Sequence, residues 1–372
     1  MPRLKGSKRS KGKSQKSGAD EFSVPTEEQW EEMKTYSSFI VGEDNEFMRG
    51  QIATVLPNGH SPGSDIQQHE YWVGKIKGIR AFENAEDDTN DVWVKVQWYY
   101  DAKDVAGVIK SFDTKSTGKY ERFLSSEHHD FVNPEAFNEI VTVTDLRDED
   151  PEQPYIGNDQ FYMRYAIERQ ARRLKPKPEN TCICHKPYVP HDETTVMHFC
   201  PRPTCRKWFH QVCLINNKSA KSCSQQARGL RLLATSPDDE EPESLHDKIP
   251  MPPSKRTRRA SLQYEKAAES DETDSAVSFA LAAMPIRLVF VAQQPIVRGA
   301  SYEKGGVSGN VKAVVAARRL VYNSLAGKGI PEDWEDMVLG QISPITLDDC
   351  LVKIKRKRVL PSLLCPDCHS AI

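Results

Sequence analysis

Cys200-Pro201-Arg202-Pro203-Thr204-Cys205-Arg206-Lys207-Trp208-Phe209-His210-Gln211-Val212-Cys213 decides how the second half of this chain folds. It presents two ligand pairs, Cys200-x4-Cys205 and His210-x2-Cys213. A further pair, Cys182-x-Cys184, precedes it, and Cys365-x2-Cys368 lies far downstream. Each pair is close enough to clamp one side of a tetrahedral ion, and thiolates with a neutral imidazole are the donors zinc prefers. Eight ligands suffice for two closed sites with no open position. Two structural Zn2+ ions are therefore expected, with binding coupled to folding. Cys223 and Cys350 have no partner at ligand spacing and read as non-ligands.

Composition sets the frame around that stretch. The 372 residues suggest two or three domains. Hydrophobic residues make up 38%, charged residues 28%, and the mean hydropathy is −0.62, so small cores separated by solvated stretches are expected. The formal net charge of −2 hides segregation. Arg3, Lys5, Lys8, Arg9, Lys11, Lys13 and Lys16 form an acid-free basic run that suits either a nucleic-acid-binding arm or a plain solvated tail. No apolar run is long enough to span a membrane, and no apolar leader opens the sequence. Clustered cysteines in such a chain point to metal rather than disulfides.

Strand signals fill the first half. Gly50–Leu56, Tyr71–Ile76, Val92–Tyr100 and Glu139–Thr144 are β-rich and bounded by turn residues such as Pro57-Asn58-Gly59. Short strands with irregular links predict a small bent barrel. Later, Val311, Val314, Val315, Leu320 and Val321 follow helical spacing over 311–325, and Pro331-Glu332-Asp333-Trp334 resembles a helix start. The expected organisation is a basic disordered tail over 1–29, a mainly β domain over 30–170 and a linker over 171–179. The zinc-binding segment begins over 180–216. A disordered insertion (217–277), a partly helical one (278–345) and a basic segment (346–359) follow. The last ligand pair falls within 360–372.

The order of four Cys, one His and three Cys, with Trp208-Phe209 leading into His210, resembles a PHD finger. That resemblance implies cross-braced sites, one from Cys182, Cys184, His210 and Cys213, the other from Cys200, Cys205, Cys365 and Cys368. A RING finger would place its His earlier. The sequence departs from the family in the roughly 150 residues between Cys213 and Cys365, a tolerable insertion because loop-closure entropy grows only logarithmically. It departs again at Leu363, where the family usually carries Trp. Fingers of this class that read trimethylated lysine 4 of histone H3 surround the cation with aromatic and thioether groups. The matching residues are Tyr188, Met197 and Trp208, with core packing as the alternative role. Thr181 supplies no fourth wall. Arg202, Arg206 and Lys207 lie where an acid would suit the histone, leaving Asp192 and Glu193 as the nearest carboxylates.

The first half resembles a bromo-adjacent homology (BAH) domain through Tyr71–Ile76, Val94–Tyr100, Glu121–Ser125, His128-His129-Asp130 and Gln160–Tyr165. BAH–PHD pairings occur in chromatin regulators of fungi and plants. The resemblance implies a cage for trimethylated lysine 27 of histone H3 from Trp72, Trp98 and Tyr100, with His128 and Asp130 beside it. Trp98 and Tyr100 share one face of a strand, as a cage wall or a core layer equally requires.

Together these resemblances imply a nuclear, non-enzymatic histone-tail reader. Its expected partners are the histone H3 tail or nucleosome, other chromatin proteins, and DNA phosphates contacted by the basic runs Lys255–Arg259 and Lys353–Arg358. Arg258-Arg259-Ala260-Ser261 would suit a basic-directed kinase. No catalytic motif or phosphate-cradling loop is evident. The alternative is an interaction scaffold without methyl-lysine recognition. Gln294–Gly299, with the helix after it, resembles insertions of fungal BAH–PHD proteins.

Overall fold

A computed structural model describes residues 24–83, 90–192, 194–221, 225–233, 236–239, 277–300, 302–340, 345–353 and 360–372. The N-terminal basic run, Glu193, Cys223, the run Lys255–Arg259 with Ser261, and most of Lys353–Arg358 lie outside them. The chain divides into two compact units, Met1–Asp145 with Asp159–Pro178, and Leu146–Asn158 with Glu179–Ile372.

The first unit opens with α1 (Glu27–Glu32), started by a capping box between Thr26 and Gln29. Strands β1 (Lys34–Tyr36), β2 (Ser38–Val41), β3 (Asn45–Met48) and β4 (Ile52–Val55) lead to two long strands, β5 (Trp72–Glu83) and β6 (Asn90–Tyr100). After α2 (Ala102–Val108) come β7 (Phe123–Val132), β8 (Phe137–Val141), β9 (Thr144–Asp145), β10 (Tyr162–Met163), β11 (Ala166–Glu168) and β12 (Arg173–Lys175). The eight-stranded sheet runs β12-β11-β7-β6-β5-β4-β8, with β1 also on β5. Among the described residues no pairing joins β12 to β8, so the expected barrel is an open sheet. Register breaks on β5–β6 and β6–β7 mark where it departs from a regular ladder. Val55, Ile76, Ile79, Val94, Val96 and Phe137 are buried beneath it.

The second unit is built around the Cys/His segment. Strands β13 (Met197–Cys200) and β14 (Lys207–His210) form a hairpin, followed by α3 (Gln211–Asn216), β15 (Ala220–Lys221) and α4 (Gln225–Leu233). The helix α4 falls inside the insertion expected to be disordered. Beyond it come α5 (Ile286–Ala292), β16 (Val297–Arg298), α6 (Val311–Leu325), α7 (Trp334–Leu339) and β17 (Ser362–Leu363). The apolar stripe predicted over 311–325 is buried along its length, each valine worth about 1.5–3 kcal/mol against exposure. Arg318 is buried on the same helix. Its guanidinium donates to the carbonyl of Ala292 (3.0 Å), left over in the last turn of α5, and to that of Gln294 (2.7 Å) just beyond it. Desolvation lowers its pKa to about 10, which still leaves it charged.

Candidate aromatic and metal-binding sites

The β5–β6 pairing assembles the first cluster. Trp98 lies opposite Gly74, and a side chain at Gly74 would collide with Val96 Cγ1 at 2.2 Å and touch the Trp98 ring at 3.4 Å. Glycine at this position leaves the room the indole occupies. Trp72, two residues before Gly74 and so on the same face, meets Trp98 edge to face at 5.8 Å between centroids. Trp98 Nε1 donates to Asp130 Oδ2 at 2.8 Å, His128 Nε2 lies 3.2 Å from the same oxygen, and the Tyr100 hydroxyl meets His128 Nδ1 at 2.9 Å. With its N–H on Nε2 the His128 ring satisfies both contacts, donating to Asp130 and accepting from Tyr100. Burial alone would raise the Asp130 pKa, but the hydrogen bonds from His128 and Trp98 outweigh it and hold the carboxyl below its usual range. Burial pushes the Tyr100 phenol up to about 12.

The structure thus brings Trp72, Trp98, Tyr100 and Asp130 together with His128. Their exposures differ. Trp98 and Tyr100 are only 4% and 1% exposed and belong to the sheet core, whereas Trp72 is half-buried and Asp130 keeps 41% of its side chain in solvent. A cation approaching this face meets Trp72 and the carboxylate first.

The second unit gathers the eight sequence-predicted ligands into two groups, Cys182, Cys184, His210 and Cys213, and Cys200, Cys205, Cys365 and Cys368. Within each group the donor atoms lie within 4.8 Å of one another. The pairing is the cross-braced one. Donor chemistry fits zinc in both groups, and His210 is suited in a second way. Burial first, and then the nearby Arg298 charge, lower its pKa, which favours the neutral imidazole a metal requires. Closure across the long insertion is local. Ala220 pairs with Leu363 and Lys221 with Ser362, so the chain leaves the segment and returns to it side by side. Leu363, which stands where the resemblance to a PHD finger led to an expected Trp, is buried at 1%. Cys350 is buried apart from both groups and donates to the Thr346 carbonyl.

Tyr188, Met197 and Trp208 also come together, around a cation that the sequence reading did not place. The Arg298 guanidinium carbon lies 3.9 Å from the Tyr188 ring centroid and 4.1 Å from that of Trp208. Its Nη2 is 3.9 Å from Met197 Sδ. Its Nη1 forms an ion pair with Asp148, whose carbonyl accepts from Trp208 Nε1 at 2.8 Å. Asp192 is engaged elsewhere, closing its own turn through Thr194 and Thr195. No sequence signal near the ligands pointed to Asp148 or Arg298. They sit 150 residues apart and converge only in the fold.

Residues 23–178 match the family model described as BAH domain. A search of curated proteins found no match for the chain. Among solved structures, the crystal structure of the yeast Rsc2 BAH domain is similar at 12% identity and a TM-score of 0.26, covering 39% of this chain and 54% of that one. The chain thus spans about half the length of that structure. No helix among the described residues is long and apolar enough to cross a membrane.

Proposed function

We propose, starting from the BAH domain that residues 23–178 form, that this chain is a chromatin-associated reader of histone H3 tails. Its methyl-lysine site is the Trp72, Trp98, Tyr100 and Asp130 cluster, and its mark is trimethylated lysine 27. The carrying observation is the half-exposed Asp130 carboxylate, held ionised by Trp98 and His128 at the edge of three aromatic rings. A quaternary ammonium is attracted by the ring faces and by the carboxylate, while its methyl groups make apolar contact that a hydrated lysine ammonium makes poorly. The Cys/His segment is read as a PHD-type finger with two structural zinc ions, which would hold their ligands in fixed positions and take no part in chemistry. The whole acts in the nucleus, recruiting or regulating transcriptional complexes, with the nucleosome and other chromatin proteins as partners.

Titration with H3 tail peptides tests this. The peptide trimethylated at lysine 27 should bind at least tenfold tighter than the unmodified one, and Trp72→Ala should erase that preference. Trp72 is the aromatic whose loss disturbs the core least. The burial of Trp98 and Tyr100 favours a second reading, in which the cluster is a core layer and the domain is a docking scaffold. Equal binding of modified and unmodified peptides by the folded protein would select it.

A further inference from the structure

We propose that the Cys/His segment carries its own ligand, with Arg298 filling the aromatic slot and closing it to external methyl-lysine. This goes beyond the reading of the BAH cluster and does not depend on it.

Two features would let the segment take up an extended cationic peptide, and the chain occupies both. The first is the slot. Tyr188 and Trp208 are each 3% exposed, Met197 likewise, and the guanidinium between them is 2% exposed. Planar guanidinium stacks on ring faces on two sides and still offers in-plane N–H groups, which Asp148 takes up. A trimethylammonium has no N–H to offer that carboxylate. The slot with Asp148 at its end is matched to arginine.

The second feature is the sheet edge. An exposed strand edge is where an extended peptide adds by main-chain hydrogen bonds. The edge of β13 away from β14 is covered by β16, with Met197 opposite Arg298 and His198 opposite Val297. Phe199 N donates to Ile296 O at 3.0 Å. The same strand that covers the edge delivers the arginine to the slot.

The covering strand is anchored from behind. Asn310 accepts from Val297 N at 2.8 Å and donates to the carbonyls of Pro295 and Cys350. Gly299 and Gly309 have φ of +128° and +78°, and any side chain there would lie about 2.2 Å from the carbonyl oxygen of Thr195 or Val297. Tyr188 donates to Val307 O, tying a slot wall to the insertion as well. Ile296 and Val297 are fully buried. The contact is therefore a permanent closure. The aromatic slot serves to join the insertion to the Cys/His segment.

The test uses the zinc-loaded full chain. In a Trp72→Ala background, which takes away the exposed ring of the first-unit cluster, an H3 peptide trimethylated at lysine 4 should bind no better than the unmodified peptide. A tenfold or greater methyl preference in that background would overturn the proposal. Arg298→Ala should lower the melting temperature of the second unit by roughly 5–10 °C. Methylguanidinium should recover part of that loss in Arg298→Ala and change nothing in the parent, a response that simple loss of packing would not give. An unshifted melt, or no rescue, counts against an arginine slot. Should Arg298→Ala fail to fold, hydrogen exchange on the parent decides. Slow exchange at Phe199 and Val297 amides supports the closure, and exchange at the rate of exposed chain refutes it.

Discussion

Gly74 is the residue on which the Trp72–Trp98 cluster rests. It has no unusual backbone angle, and its value lies in the absent side chain. A methyl group there would stand 2.2 Å from Val96 Cγ1, a branched and fully buried side chain that cannot swing aside, and against the Trp98 ring. Gly74→Ala should destabilise the first unit by about 1–3 kcal/mol, as overpacking of a dense core does. Urea denaturation would measure it. Because Trp98 must move to admit the methyl, its bond to Asp130 should lengthen and any methyl-lysine preference should fall with stability. A Gly74→Ala protein of parental stability and binding would mean that β5 and β6 lie farther apart than this register requires.

At the scale of elements, α6 and β16 show what sequence patterning reveals and what it misses. The helix was legible to the residue because an apolar stripe repeats at 3.6-residue spacing through it. The long strands β5 and β6 were legible for the analogous reason, and so was the gathering of eight Cys and His side chains into two groups, whose short spacings encode their own geometry. Strand β16 spans two residues and has no periodicity to read. Its partner strand lies about 100 residues away, and the acid that neutralises Arg298 lies 150 residues away. Such long-range pairings are fixed by tertiary closure, which local propensity does not specify. That β12 and β8 stay unpaired among the described residues was likewise beyond reach, since strand content does not determine whether a sheet closes. Asn310 is the joint between the two kinds of element, at the start of α6 and hydrogen-bonded to Val297 in β16 and to Pro295 just before it. Asn310→Ala would leave the Val297 N–H and the Pro295 and Cys350 carbonyls without that partner in a dry interior. A loss of about 2–4 kcal/mol is expected, read from thermal unfolding of the second unit. The helix itself should survive, because its stripe packs independently of the side-chain amide.

At the scale of the whole molecule, every cysteine of the chain falls between residues 182 and 368, within the second unit. The first unit, with its own core of valines, isoleucines and aromatics, owes nothing to thiolate chemistry. One ligand group joins Cys200 and Cys205 to Cys365 and Cys368, across the whole insertion. A metal bound there would fix both ends of a loop whose closure otherwise costs conformational entropy, and would offset the mutual repulsion of four thiolates. Removing zinc with a strong chelator should therefore unfold the second unit and leave the first folded. Hydrogen exchange resolves the two, with amides of β5 and β6 staying protected while those of β13 and β14 exchange freely. The fate of α6 carries the most information. If the insertion is welded to the Cys/His segment through β16 and Arg298, α6 should lose protection together with β13. Persistence of α6 after β13 has opened would mean that the insertion is a separately stable body, and that metal holds only the segment from which it emerges.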